Sequence, residues 1–124
     1  RLGRARWQRG LVMPAWAPSS GDLIWLRFSP QAGHEQAGRR PALVLSPAEY
    51  NRRTGLVLCC PITSKIKGYP FEVLLPAGLA VEGAILADQI RNLDWKARSA
   101  KLICNVEATT VKRVVDRILV LLND

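Results

Sequence analysis

Apolar and polar positions fall in blocks along this chain. Five apolar runs stand out: DLIWLRF (22–28), PALVLS (41–46), GLVLCCPI (55–62), FEVLL (71–75) and AILADQI (84–90). Each has strand length, is rich in Val, Leu and Ile, and is bounded by Gly, Pro, Asn or Ser. SPAEYNRRTG (46–55) reads as a hairpin-like linker, and SKIKGYP (64–70) joins the next pair with Gly68 and Pro70 as punctuation. No helical pattern separates the runs, so antiparallel connections are expected, and a small curled sheet or barrel is their natural outcome.

The C-terminus has a different period. Val111, Val114, Val115, Ile118, Leu119 and Leu122 share one face of a helix, with Lys112, Arg113, Asp116 and Arg117 on the wet side and Asn105 as the expected N-cap. The apolar stripe requires a partner surface, either the sheet or a second subunit. The expected fold class is therefore mainly β with α. The expected organisation is an irregular basic lead over 1–20 and one domain over 21–124. Residues 1–12 read as sequence upstream of a natural start at Met13, or as a flexible basic arm.

Charge sharpens this picture. The net charge is +8, and half of it comes from Arg1, Arg4, Arg6 and Arg9 in a stretch without acids. A polyanion is the first partner to consider. No run reaches the ~18 apolar residues of a membrane span, and the basic lead has no signal-peptide core. Cys59, Cys60 and Cys104 form no C-x-x-C, and the odd count argues against a disulfide framework. The paired cysteines sit in an apolar run and read as small buried hydrophobes, which fits a reducing, cytoplasmic setting. With one histidine and no ligand spacing, neither a metal nor another cofactor is expected.

No G-x-S-x-G, H-E-x-x-H or P-loop pattern is present. Enzymatic chemistry would have to come from Arg, Glu, Thr, Ser and one His. One reaction suits that kit. RNA carries its own nucleophile, the 2′-OH, so a metal-free nuclease need only orient it, move protons and stabilise a crowded phosphorane-like transition state. A guanidinium, permanently charged and able to grip phosphate with two N–H groups, suits the last task.

GDLIWLRF, EQAGRRPALVLSP, CCPITSKIKGYPFEV and ILADQIRNLDW, in that order, resemble the MazF/PemK toxins of bacterial toxin–antitoxin systems. The likeness is dense over residues 21–98 and extends in pattern to the C-terminal helix. It implies an SH3-like β-barrel with helices, working as a homodimer. It further implies a metal-independent endoribonuclease that cleaves single-stranded mRNA by 2′-OH attack, leaving a 2′,3′-cyclic phosphate and a 5′-OH. An antitoxin with an acidic, poorly ordered C-terminal segment would lie across the RNA site. Carried over by position, Arg40 before Pro41 matches the family's catalytic arginine, and Thr63 its catalytic threonine. Glu35 matches a loop carboxylate implicated in activity.

Each residue also has a plainer reading. Arg40 could be a solvated arginine at a strand start, and Thr63 a turn-closing hydroxyl. Glu35 could accept the 2′-OH proton or simply pair with Arg39. His34, Gln36, Arg39, Ser64, Lys65, Lys67 and Gln89 are the expected RNA contacts, with solvated lysines and a structural Asp88–Gln89 hydrogen-bond network as the alternatives. Trp25 and Trp95 read as core or dimer contacts. The family usually carries an acid at Arg27, so this arginine changes the charge beside the groove or the dimer surface. Two other functions compete: a CcdB-like toxin that binds gyrase without nuclease chemistry, and a catalytically weakened RNA-binding member of the family.

Overall fold

The computed structural model describes residues 16–28 and 38–123. Seven strands form one antiparallel sheet: β1 (Asp22–Arg27), β2 (Arg39–Val44), β3 (Leu56–Thr63), β4 (Glu72–Leu74), β5 (Ala84–Leu86), β6 (Arg91–Asp94) and β7 (Lys101–Asn105). Among the described residues two α-helices accompany it, α1 (Ala48–Thr54) and α2 (Ala108–Leu122). The sheet runs β4-β5-β3-β2-β1-β7, with β6 added on β3, so among the described strands it is an open sheet whose edge strands are β4, β6 and β7.

The apolar runs are continuous because both faces of the sheet are buried. Ile24, Leu26, Phe28, Ala42, Val44, Val57 and Cys59 fill one core, closed by Ala17, Leu93 and Trp95. The alternate residues Leu23, Leu43, Cys60 and Ile62 fill a second core with Val73, Ile85 and, from α2, Val114 and Ile118. Neighbours in a strand point to opposite faces, so Cys59 and Cys60 belong to different cores. Burial pushes the Cys59 thiol up to about 12, with Arg91 and Arg98 pulling the other way, and burial drives Cys60 higher still.

β3 is the central strand, with β2 along one edge and β5 and β6 along the other. From Ile62 to Cys59 the chain moves three residues, whereas from Ile85 to Arg91 opposite it moves six. The surplus is a 3-10 turn, Ala87–Gln89. It lies where β3 passes through Pro61. Proline has no amide hydrogen for a ladder and is rare inside a sheet. Here the facing edge leaves the ladder at that point.

Several expectations need correction. The linker 46–55 contains a helix, not only a turn: Gly55 caps α1 with φ of 75°, its amide bonding Asn51 O. Tertiary bonds hold this short helix. The buried Asn51 side chain accepts from Ser46 Oγ (2.6 Å) and donates to the carbonyls of Pro18 (2.8 Å) and Ser46 (3.1 Å). The Trp95 indole donates to the Asn51 carbonyl at 2.8 Å. The run 84–90 is strand only as far as Leu86. Asn105 ends β7, and the N-cap position of α2 is Glu107, without a side-chain cap bond. The buried stripe of α2 is Thr110, Val114 and Ile118, whereas Leu119 and Leu122 are exposed and Arg117 is half-buried. β6 and β7 had not been expected.

Two outcomes follow. Asn51→Ala strands several buried partners and should lower stability by about 2–3 kcal/mol, read as a fall in the urea midpoint at unchanged m. The folded cysteines hold their protons above the ordinary 9.0. The unfolded chain therefore ionises first, and stability should fall as pH rises from about 9 toward 12, read from denaturation midpoints across that range.

Candidate active site

The register of β2 against β3 pairs Ala42 with Pro61, Leu43 with Cys60 and Val44 with Cys59. Continued to the strand ends, it sets Arg40 against Thr63. Residues opposite one another on adjacent strands have Cβ atoms about 4.5–5.5 Å apart. By alternation both fall on the side of the first core described above, the sheet's inner face, since Ala42 and Cys59 belong to that core. Arg40 is half-buried and Thr63 is 6% exposed. The Thr63 Oγ1 accepts the Lys65 amide at 3.1 Å. That bond fixes the rotamer and leaves the hydroxyl hydrogen to donate.

Thr63 is also held from behind. Gly83 has φ of 136°, and a Cβ there would lie 2.1 Å from the Thr63 carbonyl oxygen. Only a residue without a side chain allows this backbone approach. The adjacent Ala84 pairs with Thr63 in the ladder.

Arg39 parts company with Arg40. As its neighbour in β2 it faces the other side, exposed, with its guanidinium 5.1 Å from the centre of the half-buried Trp25 ring. It pairs directly with Arg27 across β1, like charge against like. Ser64, Lys65 and Lys67 sit on the exposed segment that leaves Thr63, and Gln89 is half-buried in the 3-10 turn. Thus Arg40, Thr63, Ser64, Lys65 and Lys67 gather at one end of the sheet. His34, Glu35 and Gln36 lie outside the described residues.

Three residues escaped the sequence reading. One is Gly83. Another is Arg91, which pairs with Cys59 and so shares the inner face with Arg40 and Thr63. Its guanidinium stands 5.9 Å from the Phe28 ring centre, and its buried Nη1 has no hydrogen-bond partner. The signal was there: in RNLDW an arginine precedes two core residues, Leu93 and Trp95, at strand spacing. The third is Glu72, buried to 9% exposure, whose carboxylate accepts the amides of Lys67 and Gly68. Among the described residues no three His, Cys, Asp or Glu side chains are grouped to hold a metal ion.

By register a half-buried arginine and a threonine whose hydroxyl oxygen is hydrogen-bonded fall at the same end of a small antiparallel sheet, followed by exposed lysines. A family model for the PemK-like, MazF-like toxin of type II toxin–antitoxin systems matches residues 19–122. The chain belongs to this family. It is 52% identical over 89 residues to the endoribonuclease toxin MazF of Escherichia coli K12, covering 72% of this chain and 79% of that protein. The crystal structure of MazF from Deinococcus radiodurans superposes with a TM-score of 0.85 at 54% identity, covering 89% of this chain and 100% of that one. A MazE–MazF structure from the same organism gives 0.78 at 48%, covering 88% and 98%.

Gly83→Ala should push the end of β3 away and cost about 1–3 kcal/mol. The check is a lowered denaturation midpoint, with amide chemical-shift changes centred on Thr63 and Ser64.

Proposed function

We propose that this chain is the toxin of a type II toxin–antitoxin pair and a metal-independent endoribonuclease for single-stranded mRNA. What supports this reading is the register of β2 on β3, which carried past Ala42 and Pro61 brings Arg40 level with Thr63, in a family whose members similar to this chain are named endoribonucleases.

The 2′-oxygen attacks the adjacent phosphorus in line, forming the O2′–P bond as the P–O5′ bond breaks. The products are a 2′,3′-cyclic phosphate and a 5′-OH. The 2′-OH proton leaves to a base, with Glu35 in that role, and O5′ takes a proton from solvent water as it departs. Charge builds on the non-bridging oxygens. The Arg40 guanidinium grips two of these acceptors through parallel N–H groups, and the Thr63 hydroxyl donates to one. Donors held by a folded sheet need little reorganisation as charge develops. Arg91 adds positive potential from the same face. Lys65 and Lys67 follow the flanking phosphates, and Ser64, Gln89, His34, Gln36 and Arg39 complete the RNA contacts.

The partner is an antitoxin with an acidic segment that competes for these cations, and a homodimer is the working unit. The setting is the bacterial cytoplasm. Among the described residues no helix is long and apolar enough to cross a membrane. The gyrase-binding alternative is not favoured, because the similar proteins are named for RNA cleavage.

Purified protein should cut single-stranded RNA in EDTA and leave 5′-OH ends, read by end mapping. Arg40→Ala and Thr63→Ala should each lower the rate by at least about a hundredfold with an unchanged circular dichroism spectrum. Arg40→Lys should recover only part of it, since an ammonium lacks the planar fork. Intact RNA together with inhibited gyrase would sink this reading. Intact RNA that still binds tightly would identify a weakened family member.

A further inference from the structure

The segment 64–70 leaves Thr63 and is exposed throughout, yet its backbone is fastened at every turn. The Lys65 amide is held by Thr63 Oγ1 at 3.1 Å. The Lys67 amide lies 3.2 Å from both Glu72 carboxylate oxygens, and the Gly68 amide 2.8 Å from Oε1. The Tyr69 carbonyl accepts the Glu72 amide at 3.1 Å, and the Pro70 carbonyl accepts Arg117 Nε from α2 at 3.0 Å. Gly68, with φ of 80°, supplies the turn that presents two successive amides to one carboxylate.

The side chains above this fixed backbone are left to solvent. Ile66 is 53% exposed and Tyr69 58%, set among Lys65 and Lys67. Large apolar groups gain nothing from water. Interleaved with cations, they suit nucleotides, whose bases offer flat apolar faces beside anionic phosphates. A segment that must meet a single strand at several points binds it more tightly and selectively when its backbone is already ordered.

We propose that Glu72 is a positioning residue for substrate recognition: its buried carboxylate holds the Lys67 and Gly68 amides, so that Lys65, Ile66, Lys67 and Tyr69 meet the RNA in one arrangement. This rests on the ribonuclease reading. Glu72 touches neither phosphate nor 2′-OH, and its removal acts on where the protein cuts before it acts on whether it can. Glutamate suits the place because two oxygens can serve two amides at once. Glutamine keeps one acceptor and turns an N–H₂ toward a donor.

The test combines amide hydrogen exchange with end-mapped cleavage of a random-sequence RNA pool by wild type, Glu72→Gln and Glu72→Ala. The Lys67 and Gly68 amides should exchange at least about tenfold faster in Glu72→Ala, with the core strands unchanged. That variant should cut a wider set of sequences, with KM for the preferred RNA raised roughly tenfold and kcat within about threefold. Glu72→Gln should fall between, and it carries the test if Glu72→Ala does not fold. Faster exchange with the same cut sites and KM would overturn the proposal, as would amides that stay protected in the variants. Wild-type protein that leaves RNA intact defeats the ribonuclease reading itself, and the recognition role with it, whatever the exchange shows.

Discussion

The antiparallel register of β2 against β3 is the constraint from which the functional end of this molecule follows. Shifting it by one residue would turn every side chain of one strand to the other face. Arg40 would then no longer share a face with Thr63, and Cys59 and Cys60 would exchange cores. Such a slip is opposed by both cores at once, because Leu43 and Val44 in β2 and Cys59, Cys60 and Ile62 in β3 are all fully or almost fully buried, on alternate sides. Hydrophobic burial on both faces thus aligns the two polar residues.

Around that pair the support is backbone chemistry more than side-chain packing. A glycine pressed on the Thr63 carbonyl, a carboxylate on two loop amides and an arginine on the Pro70 carbonyl each fix main-chain atoms. The 3-10 turn beside Pro61 has a similar logic. A proline in a central strand is tolerated because the opposite edge detours there, and the detour carries Gln89.

Much of this was legible in the chain. The apolar runs marked five strands, and the R-P and P-I-T-S motifs drew attention to Arg40 and Thr63 through family resemblance. What was not legible depends on contacts between distant segments. α1 looks like a linker because its sequence has little apolar periodicity; Asn51, its one buried residue, is held by Pro18, Ser46 and Trp95 from elsewhere. β6 and β7 are short and mostly exposed, so alternation is too brief to register against the turn residues around them. Gly83 reads as an ordinary loop glycine until Thr63 is placed beside it. Glu72 in FEVLL reads as the polar member of an alternating strand, yet it is buried beside Val73. The α2 stripe was called from periodicity, but periodicity does not say how far the sheet extends beneath it, and residues 119–122 run past its edge.

The position of β3 has a consequence for how the chain comes together. The strand contributes to both cores and ends at Thr63. Arg40 and Thr63 lie on separate strands, and no fragment emerging during synthesis aligns them before β3 is laid against β2. Their alignment is thus all-or-none: it arrives with the folded sheet and is lost when the sheet parts.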